Sequence, residues 1–140
     1  MSEAAVEVCL SLPNKFRRLL DEKPYATFLG LEVEARADGI HYQMAFREEH
    51  VGNVLIGTFH GGILASFAEV VAALHMAETL QLNDAPECSS MTFDYVRPAF
   101  AGTLRAQPRI VRAGRRFVVV FVDIFLNESL VSFGRFIYAR

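Results

Sequence analysis

His60-Gly61-Gly62-Ile63-Leu64-Ala65-Ser66-Phe67-Ala68-Glu69-Val70-Val71-Ala72-Ala73-Leu74-His75-Met76-Ala77-Glu78-Thr79-Leu80-Gln81-Leu82 is the stretch that decides the fold. Ile63, Leu64, Phe67, Val70, Val71, Leu74 and Met76 are interleaved with Ala65, Ala68, Ala72, Ala73 and Ala77, so a helix over this span is apolar nearly all round. Such a helix belongs in an interior, and the flanking sequence has to supply its cover.

Working outward, the flanks read mostly as strands. Before the helix, Leu29 to Ala35 and Ile40 to Phe46 are strand-like runs joined at Asp38-Gly39, a strong hairpin signal. In the second run Ile40, Tyr42, Met44 and Phe46 alternate with His41, Gln43 and Ala45, the period of a half-buried strand. Residues 47–59 read as a long connection. After the helix come Cys88 to Tyr95, Thr103 to Val111, Arg116 to Leu126 and Leu130 to Ala139, joined by short turns. At the N-terminus Leu10, Leu12, Phe16, Leu19 and Leu20 form the stripe of an amphipathic helix that Pro24 ends. One long buried helix among five or six antiparallel strands is an α+β plan, with the sheet curled round the helix.

At 140 residues the chain fits one domain over 1–140, with 1–28 as an N-terminal helical extension. It is 52% hydrophobic, which suggests surface buried against another subunit. Glu3 and Glu7 stand where a signal peptide needs positive charge, and the longest unbroken apolar run, Phe117 to Val122, is too short to span a bilayer. A cytoplasmic protein is expected, with Cys9 and Cys88 as reduced thiols. The net charge of −2 hides an asymmetry: residues 101–140 carry 7 basic and 2 acidic side chains, a local +5. That suits an anionic small molecule and is too modest for a nucleic-acid surface.

Glu69 is the residue that asks for an explanation. It is the only acid between Glu49 and Glu78 and interrupts the helix expected to be most buried. A lone carboxylate there costs several kcal/mol unless paired, hydrogen-bonded or protonated, and acids so placed tend to be functional. The plainer reading is a water channel or helix end that leaves it solvated. Gly62, Ser66, Glu69 and Ala73 follow one another at steps of 4, 3 and 4 and share a face. Three of them are small, so that face has room for a ligand or for a helix from another subunit. His60-Gly61-Gly62 opens the helix, and first-turn N–H groups without intrahelical partners favour a negative oxygen. His60 read alone is more often a capping or core histidine. His41, His50 and His75 form no pattern with it, and no metal site is indicated.

The string Gly57-Thr58-Phe59-His60-Gly61-Gly62, the acid nine residues after the histidine, the later Asp94-Tyr95-Val96-Arg97-Pro98-Ala99 and the hairpin Val111-Arg112-Ala113-Gly114-Arg115 together resemble the phenylacetate-pathway (PaaI-like) type of hotdog thioesterase. The resemblance runs from about Leu29 to the C-terminus. It implies a hotdog fold, hydrolysis of an acyl- or aryl-CoA thioester without metal or redox cofactor, and a homodimer or homotetramer with its site at a subunit interface. It further implies Glu69 as general base or nucleophile, Gly62 N–H as the oxyanion donor and His60 beside the thioester. Gly61, Ser66 and Ala73 would line the substrate. Family members usually carry Asn or Gln six residues before the histidine; here that position is Val54, with Asn53 one residue early. Many members have Asp where this chain has Glu69, whereas the related aryl-CoA branch uses Glu. A water-binding hydroxyl after the helix would fall on Cys88, Ser89 or Ser90. Arg97, Arg109, Arg112, Arg115 and Arg116 are candidates for the CoA phosphates, since guanidinium groups suit phosphate geometry; for any one hairpin arginine a solvated tip is an equal reading.

Two other classes compete. A non-catalytic acyl-CoA-binding protein of this fold would not need Glu69 or an open face beside it. A hotdog dehydratase would need a histidine with a different acidic partner.

Overall fold

The computed structural model describes residues 11–140; Cys9 and Leu10 lie outside them. The N-terminal region departs from expectation. α1 (Asn14–Asp21) buries Phe16 and Leu19, but Pro24 does more than end it: it opens a second helix, α2 (Pro24–Leu29). Proline suits that first helical position, where its missing N–H would have no partner. Leu29, expected to start a strand, is therefore the last residue of a helix that Gly30 closes at φ 75°.

β1 (Leu31–Arg36) and β2 (Gly39–Ala45) form the expected hairpin, with Arg36 opposite Gly39. The connection that follows is structured: a 3-10 turn (Glu48–His50) leads into β3 (Val51–Asn53), which pairs with β4 (Thr58–Phe59) as a two-stranded ribbon. Then come α3 (Gly61–Thr79), β5 (Ser90–Tyr95), β6 (Thr103–Ala113), β7 (Phe117–Leu126) and β8 (Ser129–Ala139). Six strands make one antiparallel sheet in the order β1-β2-β6-β7-β8-β5.

The core sits between sheet and helix. Val118, Val120, Val122 and Ile124 of β7 point inward, fully buried, as do Leu104 of β6 and Phe136 and Tyr138 of β8. α3 packs on β6, β7 and β8 with one side and meets α1 and α2 with another. It is long and apolar enough to cross a membrane by composition, but most of it is buried inside this domain. The last strand in the order, β5, pairs only with β8 and leaves its other edge open among the described residues.

Candidate active site

α3 is buried along most of its circumference but not all. Ile63, Leu64, Phe67, Ala68, Val70 and Val71 are buried, whereas Gly62 is exposed and Ser66 and Glu69 are half-buried. Glu69 interrupts the helix expected to be most buried, on a face expected to have room for a ligand; in the single chain it stands on this half-open strip and keeps contact with solvent. Ala73, expected to line the substrate, is 4% exposed and belongs to the core. The strip therefore ends near Glu69. Tyr25 of α2 joins it: its hydroxyl lies 3.1 Å from Ser66 Oγ.

The start of the helix is tightly arranged. The His60 N–H donates to the His50 carbonyl at 2.7 Å, and β3 runs so close that a Cβ on Gly52 would lie 2.7 Å from His60 Cα. Only glycine allows that approach. His60 is the N-cap of α3, and its carbonyl accepts from Ile63 and Leu64 N–H at 2.9 and 3.2 Å. Its Nδ1 accepts from Gly62 N–H at 2.9 Å. This alters the expected division of labour. Gly62 N–H is claimed by the imidazole, while Gly61 N–H has no acceptor among the described residues. Of the two glycines, Gly61 supplies the unclaimed donor. A backbone N–H can only donate, so His60 Nδ1 carries no proton and a neutral ring presents Nε2–H.

The remaining expected residues divide. Asn53 is exposed, and its Oδ1 accepts from Leu55 N–H at 3.0 Å, an Asx turn that absorbs the side chain. Of the three candidates after the helix, Cys88 is close enough for the Glu69 charge to help raise its thiol pKa, behind burial as the larger cause. Its Sγ contacts the Ser90 carbonyl at 3.1 Å, and Ser89 Oγ accepts from Ala139 N–H at 3.3 Å. Tyr138, whose hydroxyl reaches the Glu69 carbonyl at 3.3 Å, has its pKa pushed up mainly by burial.

The arginines fall into three places. Arg112, Arg115 and Arg116 line an open cleft of about 1030 Å³ at the β6–β7 hairpin, with Phe117, Val119 and Ile137 as its apolar floor. Arg97 lies elsewhere, on a cleft of about 330 Å³ that also includes Gly61, Leu64 and Tyr95. Arg109 lies apart from both, its guanidinium 5.4 Å from the Phe121 ring centroid. Tyr95, to which the family resemblance assigns no role, donates from its hydroxyl to the Gly61 carbonyl at 2.8 Å.

Comparison with known proteins follows the same lines. The family model described as the thioesterase superfamily matches residues 56–132. A medium/long-chain acyl-CoA thioesterase, YigI of Salmonella typhimurium, is 29% identical over 122 residues, covering 76% of this chain and 78% of its own length. A solved protein of the thioesterase superfamily superposes with a TM-score of 0.79 at 30% identity, covering 90% of this chain and 96% of the other. A solved phenylacetic acid degradation-related protein of Ralstonia eutropha JMP134 does so with a TM-score of 0.76 at 25% identity, covering 91% and 100%.

Proposed function

The chain belongs to the thioesterase superfamily and is a thioester hydrolase, and we propose that it cleaves acyl- or aryl-CoA thioesters to the free acid and CoA with Glu69 as the catalytic carboxylate. The observation that carries this reading is the half-open strip on an otherwise buried helix, with one acid on it and an unclaimed N–H at its start. Gly61 N–H and the positive end of the α3 dipole receive the charge that develops on the thioester oxygen. His60 Nε2–H is a second donor at the same end.

Glu69 takes a proton from water as the oxygen attacks the carbonyl carbon; the tetrahedral intermediate then collapses, the C–S bond breaks and the CoA sulfur takes that proton. In the nucleophilic variant a Glu69 oxygen attacks instead, CoA leaves as the thiolate and takes a proton from solvent, and water cleaves the resulting anhydride to the free acid and the Glu69 carboxylate, returning that proton. Both routes need the carboxylate.

Helix geometry supports a site shared by two chains. Eight residues separate Gly61 from Glu69, about 12 Å of helix rise. One thioester carbonyl cannot touch both within a chain. Two α3 helices running antiparallel across a two-fold axis would bring Gly61 of one copy beside Glu69 of the other. The cleft beside Gly61, with Arg97 on it, and the hairpin cleft with Arg112, Arg115 and Arg116 are the two candidate positions for the CoA phosphates.

The test is hydrolysis of a panel of acyl- and aryl-CoA esters followed by free-thiol release, with Glu69→Gln alongside. Glutamine keeps size and hydrogen-bonding capacity but cannot act as the base. We expect kcat to fall about 10²–10⁴-fold, with KM little changed because CoA contacts lie elsewhere. Near wild-type turnover by the variant would remove Glu69 from the mechanism. CoA-ester binding without hydrolysis by either protein would make this a binding module.

A further inference from the structure

The proposed mechanism leaves Tyr95 unused, yet its hydroxyl sits 2.8 Å from the carbonyl oxygen of Gly61. That carbonyl and the Gly62 N–H are the two ends of a single peptide unit. The N–H end donates to His60 Nδ1 at 2.9 Å. A continuous chain therefore runs from the Tyr95 O–H through the Gly61–Gly62 peptide to the imidazole, and ends at Nε2–H. The tyrosine ring also closes over the glycine: a Cβ on Gly61 would lie 3.0 Å from three atoms of Tyr95. Phe93, 5.1 Å away in an edge-on contact, braces the ring from the same strand.

We propose that Tyr95 is a positioning residue that acts through the Gly61–Gly62 peptide, holding His60 as its Nε2–H tautomer and aiming Gly61 N–H at the developing oxyanion. The physical argument has three steps. A peptide that accepts at its carbonyl becomes a better donor at its N–H, because hydrogen bonds in a chain polarise one another. A stronger Gly62 N–H bond fixes both the ring orientation and the tautomer of His60, much as outer partners fix the ring of a metal-bound histidine. And with the Gly61 carbonyl held by Tyr95 on one side, and the His60 carbonyl held by Ile63 and Leu64 N–H on the other, the Gly61 N–H between them has its direction set before substrate arrives, which is where preorganised donors gain their effect.

Tyr95 is half exposed and lies at the end of edge strand β5, remote in sequence from the helix it holds. A merely structural tyrosine at this place would have needed only its ring. The hydroxyl's partner is the one carbonyl whose peptide reaches His60.

This inference rests on the hydrolytic role proposed above, so its test has one arm that activity decides and one that it does not. Tyr95→Phe keeps the ring over Gly61 and deletes the hydroxyl. In the activity arm kcat falls roughly 10- to 100-fold, the scale of a misplaced reacting geometry, while KM stays within about two-fold. In the second arm the ring ¹⁵N shifts of His60 are read in protein without substrate. Wild type shows an unprotonated Nδ1 and a protonated Nε2, and Tyr95→Phe shifts toward a mixture of tautomers. Unchanged kcat together with an unchanged ¹⁵N pattern overturns the proposal. So does a fall in kcat matched by an equal rise in KM with the ¹⁵N pattern unchanged, since that describes lost packing. If wild type hydrolyses no CoA thioester, the functional reading fails by itself, and the ¹⁵N comparison still decides whether Tyr95 governs His60.

Discussion

His50 is wholly buried behind the loop that carries His60, stacked on Phe59 at 5.7 Å and edge-on to Phe46 at 6.4 Å. Its Nδ1 accepts from Arg47 N–H at 3.1 Å, and its carbonyl takes the His60 N–H, while among the described residues Nε2 has no hydrogen-bond partner. Burial pushes its pKa below the ordinary 6.5; the Leu29 carbonyl and Glu49 oppose this, and the Arg47 charge adds to it. Between the lowered folded value and 6.5 the unfolded chain holds more protons than the folded one, so stability rises with pH across that window. The contribution of neutral His50 is thus complete above pH 6.5 and is lost as pH falls below it. Thermal melts at pH 7.5 and 5.5 should show a lower midpoint at the acid end. His50→Asn, whose Oδ1 can replace Nδ1 as acceptor, should flatten that difference. His75, whose pKa burial also lowers, keeps part of the slope. An unaltered pH dependence in the variant would show that His50 does not titrate as described.

Elements were legible in the sequence where they are long enough to show a period. α3 and the strands β1, β2 and β5 to β8 stand near their expected places because seven or more apolar positions, or clear alternation, marked most of them. What escaped is short. α2 has six residues and a proline that also reads as a stop, and β3 and β4 have three and two, too few to alternate. The open strip along Gly62, Ser66 and Glu69 was legible in their shared spacing, but not its end at Ala73, which is buried: how far the strip runs depends on where α1, α2 and the sheet lie. The reach of Tyr95 to Gly61 is a tertiary fact with no spacing to announce it, whereas the cap of His60 on Gly62 N–H is local and was one reading of that histidine. The β6–β7 hairpin, by contrast, was readable as a basic element, and Arg112, Arg115 and Arg116 do line one cleft. If that cleft takes CoA phosphates, Arg115→Ala with Arg116→Ala should raise KM roughly 3- to 30-fold at low salt, as expected for two exposed ion contacts. The effect should shrink as salt rises, because exposed charges are screened over about 8 Å at physiological ionic strength. An unchanged KM and salt dependence would move the phosphate site to Arg97.

At the scale of the whole molecule the unpaired features gather into one argument. Among the described residues β5 leaves a strand edge open, Met91, Tyr95 and Val96 expose apolar surface along or beside it, and Leu55 in the loop before His60 is 91% exposed. Open edges and contiguous apolar surface are liabilities in a monomer and normal in a subunit. Together with the helix rise separating Gly61 from Glu69, they motivate the proposed two-fold dimer, in which each site would draw its N–H from one chain and its carboxylate from the other. Two defective variants can test this. Glu69→Gln loses the carboxylate but keeps the donor. Gly61→Pro loses the N–H but keeps the carboxylate, with a residue that the first helical position tolerates and a Tyr95 ring exposed enough to yield. Each homodimer should be nearly inactive. Mixed, dissociated and reassembled at equal amounts, about half the dimers combine both chains and each of those holds one intact site, so about a quarter of wild-type activity should return. If donor and acid instead came from the same chain, no assortment could build a complete site, and the mixture would stay as inactive as its parts.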